Sequence, residues 1–340
     1  MNSKPRLSWE KIELKLHHPF RLSTGVSTTR TAHWIRLEND EGWGEGTIPP
    51  YYNIADADME AIWEEKSASP VPFPDDPEDI PSWVGDQGPA PARAALDLAL
   101  FDRIGKIQGV PLYKLIKLPP PSGFSTAFTI AIAETDVMAQ MALEHPEFPV
   151  IKLKLGSEDD ISRVAAVRNA RPDACLYVDA NAGWSPEEAI RVIKELEPYR
   201  LDLIEQPVQA EDIEGLGYVQ AHTDIPIVAD ESMTSLDRLD QIYRAGVKGI
   251  NLKIMKLGGL SPTIRILKSA RKWGFSIMLG CMAETSLGVS AMSHLASLAD
   301  WFDLDAPLLI ANDPFEGVQY NQAVVSVPNR PGIGVVKNRT

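Results

Sequence analysis

Five charged residues pace the second half of the chain. Lys154, Asp179, Glu205, Asp230 and Lys253 follow one another at intervals of 25, 26, 25 and 23 residues. Three carboxylates flanked by two lysines are the parts of a site with acid and base functions. Carboxylates set side by side repel, and a hard divalent cation removes that repulsion. Oxygen-only ligation suits Mg²⁺, with Mn²⁺ as a substitute. The competing arrangement is an ion-pair network in which each carboxylate simply meets a neighbouring lysine. A free lysine, with a pKa of about 10.4, is a poor base at neutral pH. Burial, a second ammonium at Lys152 and a nearby dication all disfavour its charged form and bring it toward the range of a general base. A Schiff-base lysine is another use of the residue, but it has no need of three carboxylates. One lysine on each side of a metal-bound carboxylate suits proton removal from an α-carbon and return to the opposite face.

Each of the five residues closes a short apolar run that is followed by helix-like sequence. The interval fits one strand, one helix and two turns, the unit of a βα barrel whose functional groups come from carboxyl ends of strands. Eight strand candidates follow Pro119-Pro120-Pro121: FTIAIA (128–133), VIKLKL (150–155), CLYVDA (175–180), LDLIEQ (201–206), PIVADE (226–231), GINLKI (249–254), SIMLGC (276–281) and FDLDAP (302–307). Near-continuous apolar runs suit parallel strands covered on both faces. Strand alternation puts Lys152 with Lys154, Asp179 with Asn181, Asn251 with Lys253, and Asp303 with Asp305. In a barrel that shared face is the interior mouth.

The first part of the chain reads as α+β. Residues 9–16 and 32–38 alternate like strands, with Asn39-Asp40-Glu41-Gly42 as a turn. Residues 67–92, rich in Pro, Asp and Ser, read as an irregular surface segment, and 93–107 as an apolar helix stopped by Gly109 and Pro111. The expected division is a capping unit over 1–118, a barrel over 119–307, and a tail over 308–340 that returns to the capping unit.

Composition narrows the class of function. With 340 residues, 44% of them hydrophobic, the chain can build a large core. A formal net charge of −14 disfavours nucleic acid and anionic membranes. Two cysteines imply no disulfide framework. No apolar stretch approaches the length of a membrane span, and the opening residues carry no apolar leader core. A cytoplasmic enzyme acting on a small molecule is the expectation; a homo-oligomer is compatible with it.

KLKLG (152–156), VDANAGW (178–184), IEQPV (204–208), ADES (229–232) and NLKIMKLGG (251–259), bracketed by GWGEG (42–46) and PNRPGIG (328–334), resemble the enolase superfamily, muconate-lactonizing subgroup. The resemblance covers nearly the whole chain. A lysine base working with Mg²⁺ on an enediolate is established chemistry of that superfamily. The resemblance implies an α/β fold, a modified (β/α)7β barrel of the TIM type with an α+β capping domain. It implies Mg²⁺ on Asp179, Glu205 and Asp230, acid/base lysines at 154 and 253, and Lys152 supporting Lys154 and the substrate carboxylate. Asn181 and Glu231 stand behind the metal ligands.

The subgroup holds racemases, epimerases, cycloisomerases and o-succinylbenzoate synthases. Asp303 and Asp305 are similar to the Asp-x-Asp with which dipeptide epimerases grip the substrate ammonium, so a dipeptide is the expected substrate. A turn or helix-cap role for one of the two is the plainer alternative. In relatives acting on Ala-Glu, an arginine in the first capping loop meets the glutamate; ungapped counting puts Gly25 there, with Arg21 and Arg30 out of register. Ala-Glu is therefore disfavoured. Tyr51 and Tyr52 could line an apolar or aromatic side-chain pocket. Asp56 and Asp58 could favour a cationic side chain or simply start a helix. Met282 and Ala283 are expected at the mouth, and the role of Glu284 is open. The alternatives are a cycloisomerase, an N-acylamino acid racemase, an o-succinylbenzoate synthase, or a metal-stabilised barrel that only binds.

Overall fold

The structure, a computed structural model, describes residues 6–22, 25–38, 41–48 and 52–338. The chain opens with an antiparallel meander: β1 (Leu7–Leu22), β2 (Gly25–Leu37) and β3 (Gly42–Ile48). The alternation seen at 9–16 continues to both sides. A register shift between Lys15 and Phe20 re-aims the end of β1. The helix Ala90–Gln108 packs on β3, with Pro91 in its first turn and Gly109 closing it at φ 66°. Close approach explains the glycines of GWGEG: a Cβ on Gly44 would stand 1.8 Å from the Ala95 carbonyl oxygen.

Residues 67–92 differ from the irregular surface segment expected. They hold a short turn of 3-10 helix, Pro77–Asp79, and a helix, Ile80–Val84. Phe73, Ile80 and Trp83 are buried. Three large apolar side chains outweigh the prolines and aspartates around them, because burying each contributes about 1.5–3 kcal/mol.

Residues 124 onward form the second layer. After the short β4 (Phe124–Ser125), eight parallel strands follow in chain order: β5 (Phe128–Ile130), β6 (Val150–Lys154), β7 (Cys175–Asp179), β8 (Leu203–Glu205), β9 (Ile227–Ala229), β10 (Gly249–Leu252), β11 (Ser276–Gly280) and β12 (Trp301–Asp303). All eight fall within the runs read from the sequence except β12, which starts one residue early. Helices between them start at side-chain caps from Ser185, Asp212, Ser235 and Thr285. The architecture is a nearly closed α/β barrel with an antiparallel capping sheet. The seam between β12 and β5 is stitched by single bonds: the Ala127 amide donates to the Phe302 carbonyl (2.9 Å) and the Leu304 amide to Oγ1 of Thr126 (2.8 Å).

The tail runs back over the meander. The Ala311 amide donates to the Lys15 carbonyl, and the Phe315 ring lies edge-on to Trp34 and Trp43. Glu45 of β3 ties the meander to the barrel. It accepts from the Thr285 amide (3.0 Å), the Thr285 hydroxyl (2.6 Å) and the Gly288 amide (3.1 Å), at the start of the helix Ser286–Ser293. Among the described residues no helix is long and apolar enough to cross a membrane.

Candidate active site

Three consecutive strand ends deliver the acidic triad. Lys154 pairs with Asp179 across β6 and β7, and Asp179 with Glu205 across β7 and β8. Asp230 directly follows β9. One ligand oxygen from each of Asp179, Glu205 and Asp230 lies within 4.8 Å of the others, and all three residues are buried.

The lysines surround this cluster. Nζ of Lys154 donates to Oδ2 of Asp179 (2.6 Å), and Nζ of Lys253 to Oδ2 of Asp230 (2.7 Å). Lys152 sits in the centre, fully buried, 2.7 Å from Oε2 of Glu205, 3.1 Å from Oδ2 of Asp179 and 2.7 Å from Oδ2 of Asp303. Burial opposes its charge, but Asp303, Glu205 and Asp179 outweigh burial and hold its pKa well above the ordinary lysine value. Lys152 is therefore a fixed positive charge. A fourth lysine, Lys256, donates to Oδ1 of Asp230 (2.5 Å) and to the Asn251 carbonyl (3.0 Å). Sequence reading passed over it. Its spacing of three from Lys253 in NLKIMKLGG was the available signal.

Charge is not balanced evenly. Burial works against ionisation of Asp179, yet Lys154 and Lys152 bring its pKa down to about 2. Glu205 goes the other way, to about 8, because burial and the Asp179 charge outweigh the Lys152 ammonium. That ammonium is close but poorly aligned: Oε2 of Glu205 accepts no hydrogen bond, while Oε1 takes one from Asn251 (2.8 Å). A buried orphan oxygen inside an oxygen-only set of three carboxylates fits a hard divalent cation. Asn181 donates its amide to Asp179 (2.9 Å) and its Nδ2 to Glu231 (3.1 Å), so it joins the two sides of the cluster.

Asp303 and Asp305 lie across the mouth. Both are buried, and both line one cavity with Lys154, Lys253, Asn181, Met282 and Ala283. Burial and the neighbouring Asp303 charge raise Asp305 to about 7. Asp303 is lowered because Lys152 and Lys154 outweigh its burial. Asp305 also precedes the four-residue helix Ala306–Leu309, but its side chain makes no cap there.

The far wall of the cavity comes from the capping strands and the tail: Leu16, Phe20, Arg30, Thr47 and Leu309. Arg30, out of register by ungapped counting, reaches the cavity because it shares a face of β2 with Ala32, which clusters with Leu14 and Ile310. Gly25 lies elsewhere. It is exposed at the tip of the β1–β2 hairpin, and among the described residues no atom would meet a Cβ placed there. Asp56 begins the helix Asp56–Ala68, pairs with Lys11, and lines a separate groove with Val26, Thr28 and Asn53. Tyr52 is half-buried and lines neither space; Tyr51 lies outside the described residues. Glu284 is buried and accepts the Met282 amide (2.8 Å), which shapes the loop after β11. Its burial and the nearby Glu45 raise it to about 8.

This combination of barrel, cap and strand-end carboxylates defines a class. Residues 135–340 match the family described as enolase C-terminal domain-like, and the chain belongs to the enolase superfamily. Over 99% of its length it is 33% identical to the L-Ala-D/L-Glu epimerase of Bacteroides thetaiotaomicron, covering 89% of that protein. A solved dipeptide epimerase of Enterococcus faecalis, complexed with Mg and L-Leu-L-Tyr, superposes with a TM-score of 0.91 at 30% identity, covering 98% of this chain and 99% of that one. The N-succinyl-L-Arg/Lys racemase of Bacillus cereus is 28% identical over 96% of this chain and 93% of its own. Within the superfamily the chain thus belongs with the dipeptide epimerases, and it is an isomerase.

Proposed function

We propose that the protein epimerises a dipeptide at the α-carbon of its C-terminal residue, with Mg²⁺ and two lysines. The observation that carries this reading is the placement of Lys154 and Lys253. They bond to different members of the triad, Asp179 and Asp230, and line the same cavity as Asp303 and Asp305.

In this reading Asp179, Glu205 and Asp230 hold the cation. When bound, it offsets negative charge on the substrate carboxylate as the α-proton leaves, and takes up carboxylate charge that otherwise holds the lysines. Asp303 and Asp305 receive the substrate ammonium, which fixes the α-carbon between the two amines. One lysine accepts the α-proton at Nζ, leaving an enediolate. The other, protonated, delivers a proton to the opposite face. Lys152, held as an ammonium, faces the substrate carboxylate and cannot compete as a base. Both lysines are buried, and low exposure to bulk water slows loss of the abstracted proton.

For the side chain, Leu16, Phe20, Met282 and Leu309 favour an apolar or aromatic group. Asp56 is engaged by Lys11, which takes away the support for a cationic one. Mn²⁺ serves as a substitute metal in the same reading, and the capping unit runs to residue 118, the barrel to 307. An N-succinylamino acid is the second reading, motivated by the Bacillus cereus relative; it would leave Asp303 and Asp305 without an ammonium to meet.

The test is incubation with Mg²⁺ in D₂O against a library of L,L-dipeptides. A mass gain of one confined to dipeptides supports the reading and names the side chains. Exchange confined to N-succinylamino acids overturns it.

A further inference from the structure

The two aspartates are held by a residue that carries no charge. Thr129 stands on β5, in register with Lys152 of β6, so its side chain points into the mouth and lines the cavity. It is 5% exposed. Its amide donates to Oδ2 of Asp305 (2.7 Å) and its hydroxyl to Oδ1 of Asp303 (3.2 Å). Oδ2 of Asp303 is taken by Lys152 (2.7 Å).

Other bonds fix the backbone that carries the pair. Thr126 accepts the Leu304 amide, Tyr320 donates its hydroxyl to the Leu304 carbonyl (2.6 Å), and the Cys281 thiol donates to the Asp303 carbonyl (3.2 Å). The backbone is therefore set from three sides, while the carboxylate orientations depend on Thr129 and Lys152. Two like charges this close would turn apart if nothing bridged them. A hydroxyl offered to one and an amide offered to the other keep both aimed at one point.

We infer that Thr129 is the positioning residue of the ammonium pocket, and that its hydroxyl sets affinity for the dipeptide amino terminus rather than the rate of proton transfer. The inference rests on the reading that Asp303 and Asp305 meet a substrate ammonium. That ammonium keeps its charge throughout the reaction, so its contacts are equally strong in ground and transition states. Losing such a contact raises KM and leaves kcat in place.

The experiment compares Thr129→Val and Thr129→Ser with the unaltered enzyme on the dipeptide that exchanges fastest in D₂O. Valine keeps the shape, the β-branch and the amide bond to Asp305 but removes the hydroxyl. Thr129→Val is expected to raise KM about tenfold, the size of a hydrogen bond to a charged acceptor, with kcat within about twofold and the Mg²⁺ affinity seen by calorimetry unchanged. Thr129→Ser is expected to restore KM. Equal KM for the valine variant and the parent, or equal impairment of valine and serine variants, overturns the assignment. If the parent exchanges no dipeptide at all, the ammonium reading falls and Thr129 falls with it.

Discussion

The two walls of the cavity are built on opposite principles. The lysine–carboxylate wall comes from consecutive parallel strands, and its charged groups are buried against one another, as Lys152 between Asp179 and Glu205 shows. The capping wall comes from the β1–β2 hairpin and the tail, which are far apart in sequence from each other, and meets the cavity through Leu16, Phe20, Leu309 and the half-buried Arg30. Buried charge needs fixed geometry, because an unpaired ion in the interior is costly. An apolar wall tolerates substitution of similar volume. Chemistry can therefore stay constant in such a protein while the recognised side chain changes.

The comparison breaks most visibly at the lysine–carboxylate wall. Glu205→Gln should abolish Mg²⁺-dependent exchange, a loss beyond the 10²–10⁴-fold typical of a single acid or base, while the fold persists on its apolar core. Calorimetric Mg²⁺ titration together with circular dichroism checks both halves; normal turnover in the variant would refute the metal assignment. Lys253→Met should cost about 10²–10⁴-fold in α-deuterium exchange from one epimer and less from the other. Following exchange separately from L,L and L,D substrates tests this, and equal loss from both would sink the face-by-face division.

The capping wall should respond in a different currency. Arg30→Met removes a cationic group from that wall and should shift the preference between acidic and apolar side chains by about tenfold, with kcat on the best substrate within about twofold. Competition between dipeptides read by mass spectrometry measures it, and an unchanged ranking would remove Arg30 from recognition.

The smallest effect lies where cap and barrel are permanently joined. Asp97 of the helix Ala90–Gln108 accepts the amides of Leu260 (2.6 Å) and Ser261 (3.3 Å) at the start of the barrel helix Leu260–Trp273. Burial raises its pKa from 3.8 to about 7 against those bonds. A raised folded pKa stabilises fully below the unfolded value and loses that contribution as pH climbs through the folded one. Stability should therefore fall between about pH 4 and pH 7 from this group. Asp97→Asn, which still accepts both amides, should flatten the slope, seen as a Tm difference of a few degrees between pH 5 and pH 8. An identical slope in the variant would show that Asp97 does not titrate in that window.

The barrel was legible because its signal is local and repeated. Each strand is an apolar run ending in one charged residue, and parallel neighbours in register must bring successive ends together. That spacing connects Lys154 through Asp179, Glu205 and Asp230 to Lys253, and alternation puts Asp303 and Asp305 on the inward face. Phe73, Ile80 and Trp83 escaped that local signal, since Pro- and Asp-rich neighbours mask apolar side chains that are buried against distant segments such as the helix Ala90–Gln108.

Other features were decided by the tertiary structure. Gly25 was placed by ungapped counting, whereas Arg30 reaches the cavity from β2, where alternation turns it to the same face as Ala32. Thr129 and Lys256 carry no pattern of their own. One matters because the ends of the barrel sheet meet at a seam 174 residues apart in sequence, the other because a short helix turns it back onto Asp230. The sequence by itself determined the acidic and basic groups and the strands that bear them, because both follow from spacing along one stretch of chain. Which uncharged residues aim those groups, and which capping side chains close over them, was settled only by contacts between distant segments, whose register no local periodicity encodes.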